Sequence, residues 1–151
     1  MRAIFEARRA DVNRNVRSAG EDGRVDTTEE TRRTALDYVE SLERRDWPRW
    51  EALIAEDVVY ELPQTRERVH GREKFLRFNV EYPGDWHLDV RRVVADRRYA
   101  ALWLDVRVGD ERMDACVWLE IGTDGAITKV TDYWPEAYEP PAGREHLAER
   151  Y

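Results

Sequence analysis

One cysteine, Cys116, in 151 residues excludes an intrachain disulfide and a thiolate-rich metal centre. The three histidines, His70, His87 and His146, show no metal-ligand spacing, so no metal is expected. A phosphate-cradling glycine loop, a dinucleotide fingerprint and a nucleophile elbow are all missing, and no cofactor is expected. No apolar run is long enough to span a bilayer, and the opening MRAIFEARRADVN lacks the apolar stretch of a secretory signal. The expectation is a cytoplasmic protein with no membrane partner. Lysine is scarce, with only Lys74 and Lys129 among 25 basic residues, a skew that points to coding bias more than to function. Those 25 basic residues face 32 acidic ones for a net charge of −7, which argues against nucleic acid as a partner.

What the chain does have is core-forming material. It is 42% hydrophobic and 11% aromatic, with six Trp and seven Tyr, which speaks against disorder. A single domain of this length buries roughly two-thirds of its unfolded surface and needs no staple. Residues 1–26 are arginine-rich and end in the loop-like Ser18-Ala19-Gly20-Glu21-Asp22-Gly23, so they read as an arm outside the core. The domain is expected over 27–135, with 136–151 as a proline-marked tail.

Thr27-Thr28-Glu29-Glu30 has the form of a capping box, and Ala35, Tyr38, Val39 and Leu42 then recur at helical spacing. Asp46 with Pro48 restarts a short second helix that turns Trp50, Leu53 and Ile54 inward. Val58 to Leu62 has strand composition and is closed by Pro63; Gln64 to Gly71 reads as a polar loop; Arg72 to Asn79 reads as a third helix carrying Phe75, Leu76 and Phe78. Strands follow over 86–95, 99–108, 111–121 and 126–134, separated by turns at Asp96-Arg97-Arg98, Gly109-Asp110 and Gly122-Thr123-Asp124-Gly125. The result is an α+β domain with an antiparallel meander.

Regular hairpins put Leu88, Val90, Leu102, Leu104, Val106, Ala115, Val117, Leu119, Val130, Asp132 and Trp134 on one face. The other face carries Trp103, Asp105, Arg107, Asp114, Cys116, Trp118, Lys129, Thr131 and Tyr133, and an interior bulge would exchange the two sets beyond it. The first face needs covering by helices. The second mixes tryptophan with charge, as homodimer interfaces do, so a dimer through Trp103, Cys116 and Trp118 is expected, with Cys116 a buried inert thiol.

The phrases AEDVVYELP (55–63), HGREKF (70–75) and GAITKVTDYW (125–134), in this order of elements, resemble the SnoaL-like branch of the nuclear-transport-factor-2-like superfamily. The resemblance spans about Thr28 to Pro135. It implies a cone-shaped, curved antiparallel sheet packed on three N-terminal helices, an enclosed apolar pocket and a back-to-back homodimer. Isomerases, cyclases, dehydratases, epoxide hydrolases and non-enzymatic binding modules share that fold, so function must come from the pocket residues.

Compared with ketosteroid isomerases, Tyr38 falls on the oxyanion-donor tyrosine, but the general base falls at Leu62 and its protonated carboxylic-acid partner at about Val117. Compared with limonene-epoxide hydrolases, Tyr60 and Asp132 match a water-holding tyrosine and one aspartate; Leu62 stands for the asparagine. The Arg-x-Asp strand reads Trp103-Leu104-Asp105, with Asp105 on the face opposite Asp132. SnoaL-type polyketide cyclases ask only for an acid on the last strands of an apolar pocket, which Asp132 supplies.

Asp132 is the one acid on the apolar face, where desolvation raises a carboxyl's pKa into the range of a useful base. It reads either as catalytic or ligand-contacting, or as a buried acid satisfied by Tyr38, Tyr60 or a backbone N–H. Tyr38 and Tyr60 read equally as donors to a ligand and as core aromatics. Trp86, Trp134, Phe75 and Phe78 are candidate walls, with Leu62, Leu88, Leu102, Leu104, Ala115, Val117 and Val130 as apolar lining. His70 precedes Gly71 and sits either over the pocket mouth or in solvent. Two functions follow. One is a cofactor-free isomerase, cyclase or lyase acting on a polyketide- or terpenoid-like molecule with Asp132 as base; the other is a non-catalytic ligand-binding or accessory module.

Overall fold

The computed structural model describes residues 27–151. The reading of 1–26 as an arm, and any cap preceding Thr27, lie outside the described residues. Helix α1 (Thr27–Glu43) buries Thr31, Ala35, Tyr38, Val39, Ser41 and Leu42 along one stripe. Its far end closes in a Schellman arrangement, in which the Arg45 N–H donates to Leu42 O at 3.0 Å and the Asp46 N–H to Ser41 O at 2.9 Å. That motif requires a left-handed residue, and Arg45 supplies it at φ 57° where glycine is usual.

Helix α2 (Trp47–Leu53) starts where expected, with Asp46 as N-cap accepting the Arg49 N–H at 3.2 Å and Pro48 in the first turn. It carries Trp50 into the core, fully buried. The expected helical Ile54 is instead extended, at φ −103° and ψ 129°, and begins strand β1 (Ile54–Leu62). The segment read as a polar loop holds a four-residue edge strand, β2 (Glu67–His70), antiparallel to β1. Gly71 then adopts φ 88°, which places helix α3 (Arg72–Val80) against β1 with Phe75 fully buried.

Strands β3 (Trp86–Asp96), β4 (Tyr99–Val108), β5 (Glu111–Ile121) and β6 (Ile127–Tyr133) form the antiparallel meander. The six strands make one open sheet in the order β2-β1-β6-β5-β4-β3. The sheet is mixed, which corrects the expected all-antiparallel arrangement: β1 runs parallel to β6, with Tyr60 beside Val130 and Glu61 beside Thr131. Such a crossover is available because α3, β2 and the whole meander separate the two strands in sequence.

Two irregularities bend the sheet. The β3–β4 register shifts between Val90 and Arg92, leaving Arg91 unopposed, and the β5–β6 register shifts between Glu120 and Ile121. The first moves Val93 inward beyond the bulge, while Leu102, Leu104, Val106, Ala115, Val117, Leu119 and Val130 keep the expected inner face, all buried. Thr28 and Thr31 tie the start of α1 to the β3–β4 turn, accepting the Arg97 N–H and donating to the Arg97 carbonyl respectively. The helices thus cover one face of the sheet. Among the described residues, no helix is long and apolar enough to cross a membrane.

Candidate functional site

Between the helices and the concave side of the sheet lies a cavity of about 710 Å³. One side is formed and backed by a run of contacting aromatic rings, of which Tyr38, Tyr60, Phe78 and Tyr82 line the cavity while Trp50 and Phe75 pack behind them. Tyr38 lies 6.3 Å from Trp50, Trp50 meets Phe75 edge-on at 4.8 Å, and Phe75 stacks on Tyr60 at 4.3 Å; Phe78 and Tyr82 continue the run toward the exposed end. The opposite wall comes from the meander: Leu88 on β3, Leu104 on β4, Val117 on β5 and Asp132 on β6.

Asp132 sits opposite Val117 in the β5–β6 ladder and is 7% exposed. The Tyr60 hydroxyl donates to its Oδ2 at 3.0 Å. Its Oδ1 is buried and receives no well-aligned hydrogen bond among the described residues, although the Trp134 indole N–H also draws on the carboxylate. An unpartnered carboxylate oxygen is costly to bury, and here burial pushes the Asp132 carboxyl up to about 6, against the opposing pull of the Trp134 indole and the Tyr60 hydroxyl. The Tyr38 and Tyr60 hydroxyls are both raised above the ordinary phenol value, first by burial and then by the nearby Asp132 charge. Both therefore stay protonated at any working pH and can only be donors to an anionic oxygen.

Trp86 is held in the wall by the strained end of α1. The Arg45 guanidinium lies 3.4 Å from the Trp86 ring centroid and donates to the Trp86 carbonyl, and it also donates to Glu43 O at 2.7 Å. Next to it, Glu43 accepts the Leu88 N–H at 2.7 Å and lies 2.8 Å from His87 Nδ1. Burial works against ionisation of Glu43, but these hydrogen bonds prevail and hold its carboxyl below the usual range. The end of α1 and the start of β3 are thus clamped by two charged side chains beside the cavity.

Of the residues singled out from the sequence, Tyr38, Tyr60, Leu62, Phe78, Trp86, Leu88, Leu104, Val117, Asp132 and Trp134 line this cavity. Phe75, Leu102, Ala115 and Val130 are buried but lie behind the wall, where they support it. His70 is exposed on the edge strand β2 and does not reach the cavity, because strand pairing with Val59 holds it at the sheet edge. Asp105 lies on the outer face, bonded to Arg112 and facing Arg91 at 3.5 Å, so it supplies no second acid beside Asp132. The lining also includes Leu42, Gln64, Thr65, Glu67, Asn79, Tyr82, Glu111, Arg112, Met113, Asp114, Pro135, Glu136 and Ala137, which were not singled out. Gln64, Thr65, Tyr82, Pro135, Glu136 and Ala137 lie outside helices and strands, where side-chain periodicity carries no signal, and Glu67 and Glu111 to Asp114 lie in the first residues of their strands. Leu42 belongs to the apolar stripe of α1 and also reaches the cavity. No group of three His, Cys, Asp or Glu side chains among the described residues is arranged to hold a metal ion.

The same architecture recurs in solved structures. A candidate ketosteroid isomerase from Kribbella flavida DSM 17836 is 56% identical, with a TM-score of 0.80 over 82% of this chain and 91% of that one. An epoxide hydrolase of the limonene-epoxide-hydrolase-like type from M. tuberculosis is 22% identical, with a TM-score of 0.62 over 72% of this chain and 84% of that one. A candidate polyketide cyclase from Xanthomonas campestris is 23% identical, with a TM-score of 0.59 over 72% of this chain and 93% of that one. The last two show likeness of fold alone. No curated protein matches the chain. Residues 35–130 match the SnoaL-like domain, and with the helices, mixed sheet and cavity described above the chain belongs to that family.

Proposed function

We propose that the protein is a cofactor-free isomerase, cyclase or lyase that moves a carbon-bound proton on a small hydrophobic molecule, with Asp132 as the base. The observation that carries this reading is the buried carboxylate of Asp132 on the wall of an aromatic cavity, its Oδ1 without a well-aligned hydrogen bond among the described residues. A carboxyl at about 6 is mostly ionised at neutral pH and still basic enough to accept a proton from an activated C–H. The bond that breaks is C–H; the electron pair moves onto an adjacent carbonyl oxygen, and the proton resides on Asp132 until it returns to a second carbon.

The developing oxyanion needs a donor. A phenol has a single O–H, and that of Tyr60 is committed to Asp132 Oδ2, so Tyr60 acts as a positioning residue and Tyr38 as the oxyanion donor. The 56% identity to a candidate ketosteroid isomerase supports a ketone-bearing ring system as substrate. The route differs, however, because Leu62 and Val117 stand where the resemblance to that isomerase family puts carboxyl groups, and both line the cavity as hydrocarbon. Those two positions are also what favours the second reading, a binding module without turnover.

The test is deuterium incorporation from D2O into a panel of polycyclic and terpenoid ketones. The proposal expects exchange with the native protein and loss of at least about 100-fold in Asp132→Asn, the usual range for removing a general base. Exchange that survives in Asp132→Asn overturns the mechanism. Tight binding of panel members without exchange in either protein would establish the binding module instead.

The reading extends to a homodimer through the outer sheet face, where Trp103, Trp118 and Tyr133 are 42%, 55% and 42% exposed. A contiguous aromatic surface of that kind is costly in water and suits a second copy of the chain.

A further inference from the structure

One residue beside the cavity holds a backbone conformation that its side chain does not favour. Arg45 closes α1 at φ 57°, in the left-handed region where glycine is the low-cost residue. Such outliers concentrate at functional positions. The Arg45 guanidinium engages a single corner of the fold. Nη1 donates to Leu42 O at 3.1 Å and to Glu43 O at 2.7 Å, Nη2 donates to Trp86 O, and Cζ stands 3.4 Å from the Trp86 ring centroid. Arg45 is not among the lining residues, whereas Trp86 lines the cavity and is 7% exposed. The cation therefore lies behind the indole and fills the space into which the ring would otherwise swing.

The backbone on both sides of Trp86 is fixed as well. Trp86 pairs with Val108 in the β3–β4 ladder, the Gly109 N–H donates to the Asp85 carbonyl at 3.0 Å, and the Leu88 N–H donates to Glu43 at 2.7 Å. Gly84, at φ 91°, comes so close that a Cβ there would stand 3.1 Å from Val108 Cγ1. Tyr82, which also lines the cavity, is 41% exposed and can give way to a ligand. The cavity thus has one rigid aromatic corner and one yielding one.

We propose that Arg45 is a positioning residue for substrate selection: it holds the Trp86 indole as a fixed wall, and that wall sets the largest ring system the cavity accepts. This rests on the proposed ligand-binding cavity and adds the size limit of its ligand. A wall that cannot move turns a difference of one ring into a difference of affinity, because a close-packed surround offers no compensating space. Arginine suits the task better than lysine. Its planar fork reaches three carbonyls while its face lies on the indole, which a point-like ammonium cannot do.

The experiment measures dissociation constants by equilibrium dialysis for a graded series of flat ketones: 1-tetralone, 9-fluorenone and benzanthrone, with two, three and four fused rings. The native protein is expected to show a cut-off within the series, losing about tenfold or more in affinity at the ring that no longer fits. In Trp86→Ala the cut-off moves up by one ring, and Trp86→Leu makes the same test if the alanine variant does not fold. Arg45→Met is expected to reduce the discrimination to about threefold or less, with Arg45→Lys between it and the native protein. A purely structural Arg45 would lower the affinity for every member alike and leave their ratios unchanged, and that result overturns the proposal. Affinity that rises with ring number throughout the series in the native protein, or a cut-off unmoved in both Trp86 variants, overturns it too. Those outcomes leave the cavity and the Asp132 chemistry standing. Failure of all three ketones to bind the native protein and every variant overturns the open cavity, and with it both proposals.

Discussion

The Tyr60 hydroxyl donates to Oδ2 of Asp132 at 3.0 Å, across 72 residues of chain. That bond divides the carboxylate into a held oxygen and a free one, and it exists because β1 runs parallel to β6 with Tyr60 beside Val130. Neighbouring strands bring the phenol and the acid together from the same inner face. Held this way, the carboxylate has a fixed direction and an unsatisfied lone pair, which is the arrangement a base requires.

Removing the phenol oxygen should therefore raise the Asp132 carboxyl further, because the Tyr60 hydrogen bond is one of the two interactions that pull it down. Tyr60→Phe is expected to lose about 1–2 kcal/mol of stability in urea unfolding at neutral pH, the cost of leaving a buried charge-assisted acceptor unpaired. The rising limb of any pH–rate profile, set near 6 in the native protein, should move to higher pH in this variant. On the alkaline side the profile should stay flat through the pH range where free phenols titrate, since Tyr38 and Tyr60 are both held protonated above it.

Asp132 should cost the protein stability when ionised. Its folded value, about 6, lies above the unfolded value of 3.8, so its contribution is fully present below about pH 4 and is lost as the pH rises through about 6. Asparagine cannot ionise. The stability of Asp132→Asn relative to the native protein is thus expected to rise by about 3 kcal/mol between pH 4 and pH 7 and to level off above that. Paired denaturation curves across this range measure the difference, in which the other titrating groups cancel. A flat difference would mean that the acid is not desolvated.

Arg45 should combine backbone strain with a gain for the cavity wall. Its left-handed backbone costs about 1 kcal/mol, which glycine would relieve. Arg45→Gly is accordingly expected to be more stable than Arg45→Ala by about that amount. Both should free the Trp86 ring, 3.4 Å from the guanidinium in the native protein, and shift its fluorescence to the red. An unshifted spectrum would show that the ring is held by other contacts.

Much of this arrangement was legible in the chain. The turns at Asp96, Gly109 and Gly122 fix hairpin lengths, and side-chain parity then puts Val117 and Asp132 on the same face without any structure. Parity failed where residues were inserted: nothing in VRR announces that Arg91 is the extra residue of a bulge. An apolar residue after Leu53 fits either period, so Ile54 reads as helical from the sequence, and pairing with Ile127 of β6 decides for the strand. Glu67 to His70 is too polar to read as a strand and pairs only with β1, at the sheet edge. The parallel β1–β6 pair involves strands far apart in sequence, for which turn chemistry gives no signal. Part of the cavity lining, Gln64, Thr65 and Pro135 to Ala137, lies outside helices and strands, where periodicity carries no signal.

The outer face yields a further expectation. Trp118, 55% exposed and opposite Ala101 and Thr131 in neighbouring strands, lies centrally among the exposed aromatics of β4, β5 and β6. Native mass spectrometry should find a dimer for the native protein and a monomer for Trp118→Lys, since a buried unpaired ammonium is not tolerated in such an interface. Both proteins running as monomers at micromolar concentration would remove the dimer.

The central claim is that Asp132 is a desolvated, half-free carboxyl in an aromatic cavity, and carbon-13 NMR titration of its side-chain carboxyl tests that claim most directly. Assignment comes from the signal missing in Asp132→Asn. The account predicts a midpoint near 6, moving up in Tyr60→Phe. A midpoint at or below 4 in the native protein would mean that Oδ1 is hydrated or paired, and would contradict the assignment of Asp132 as the base.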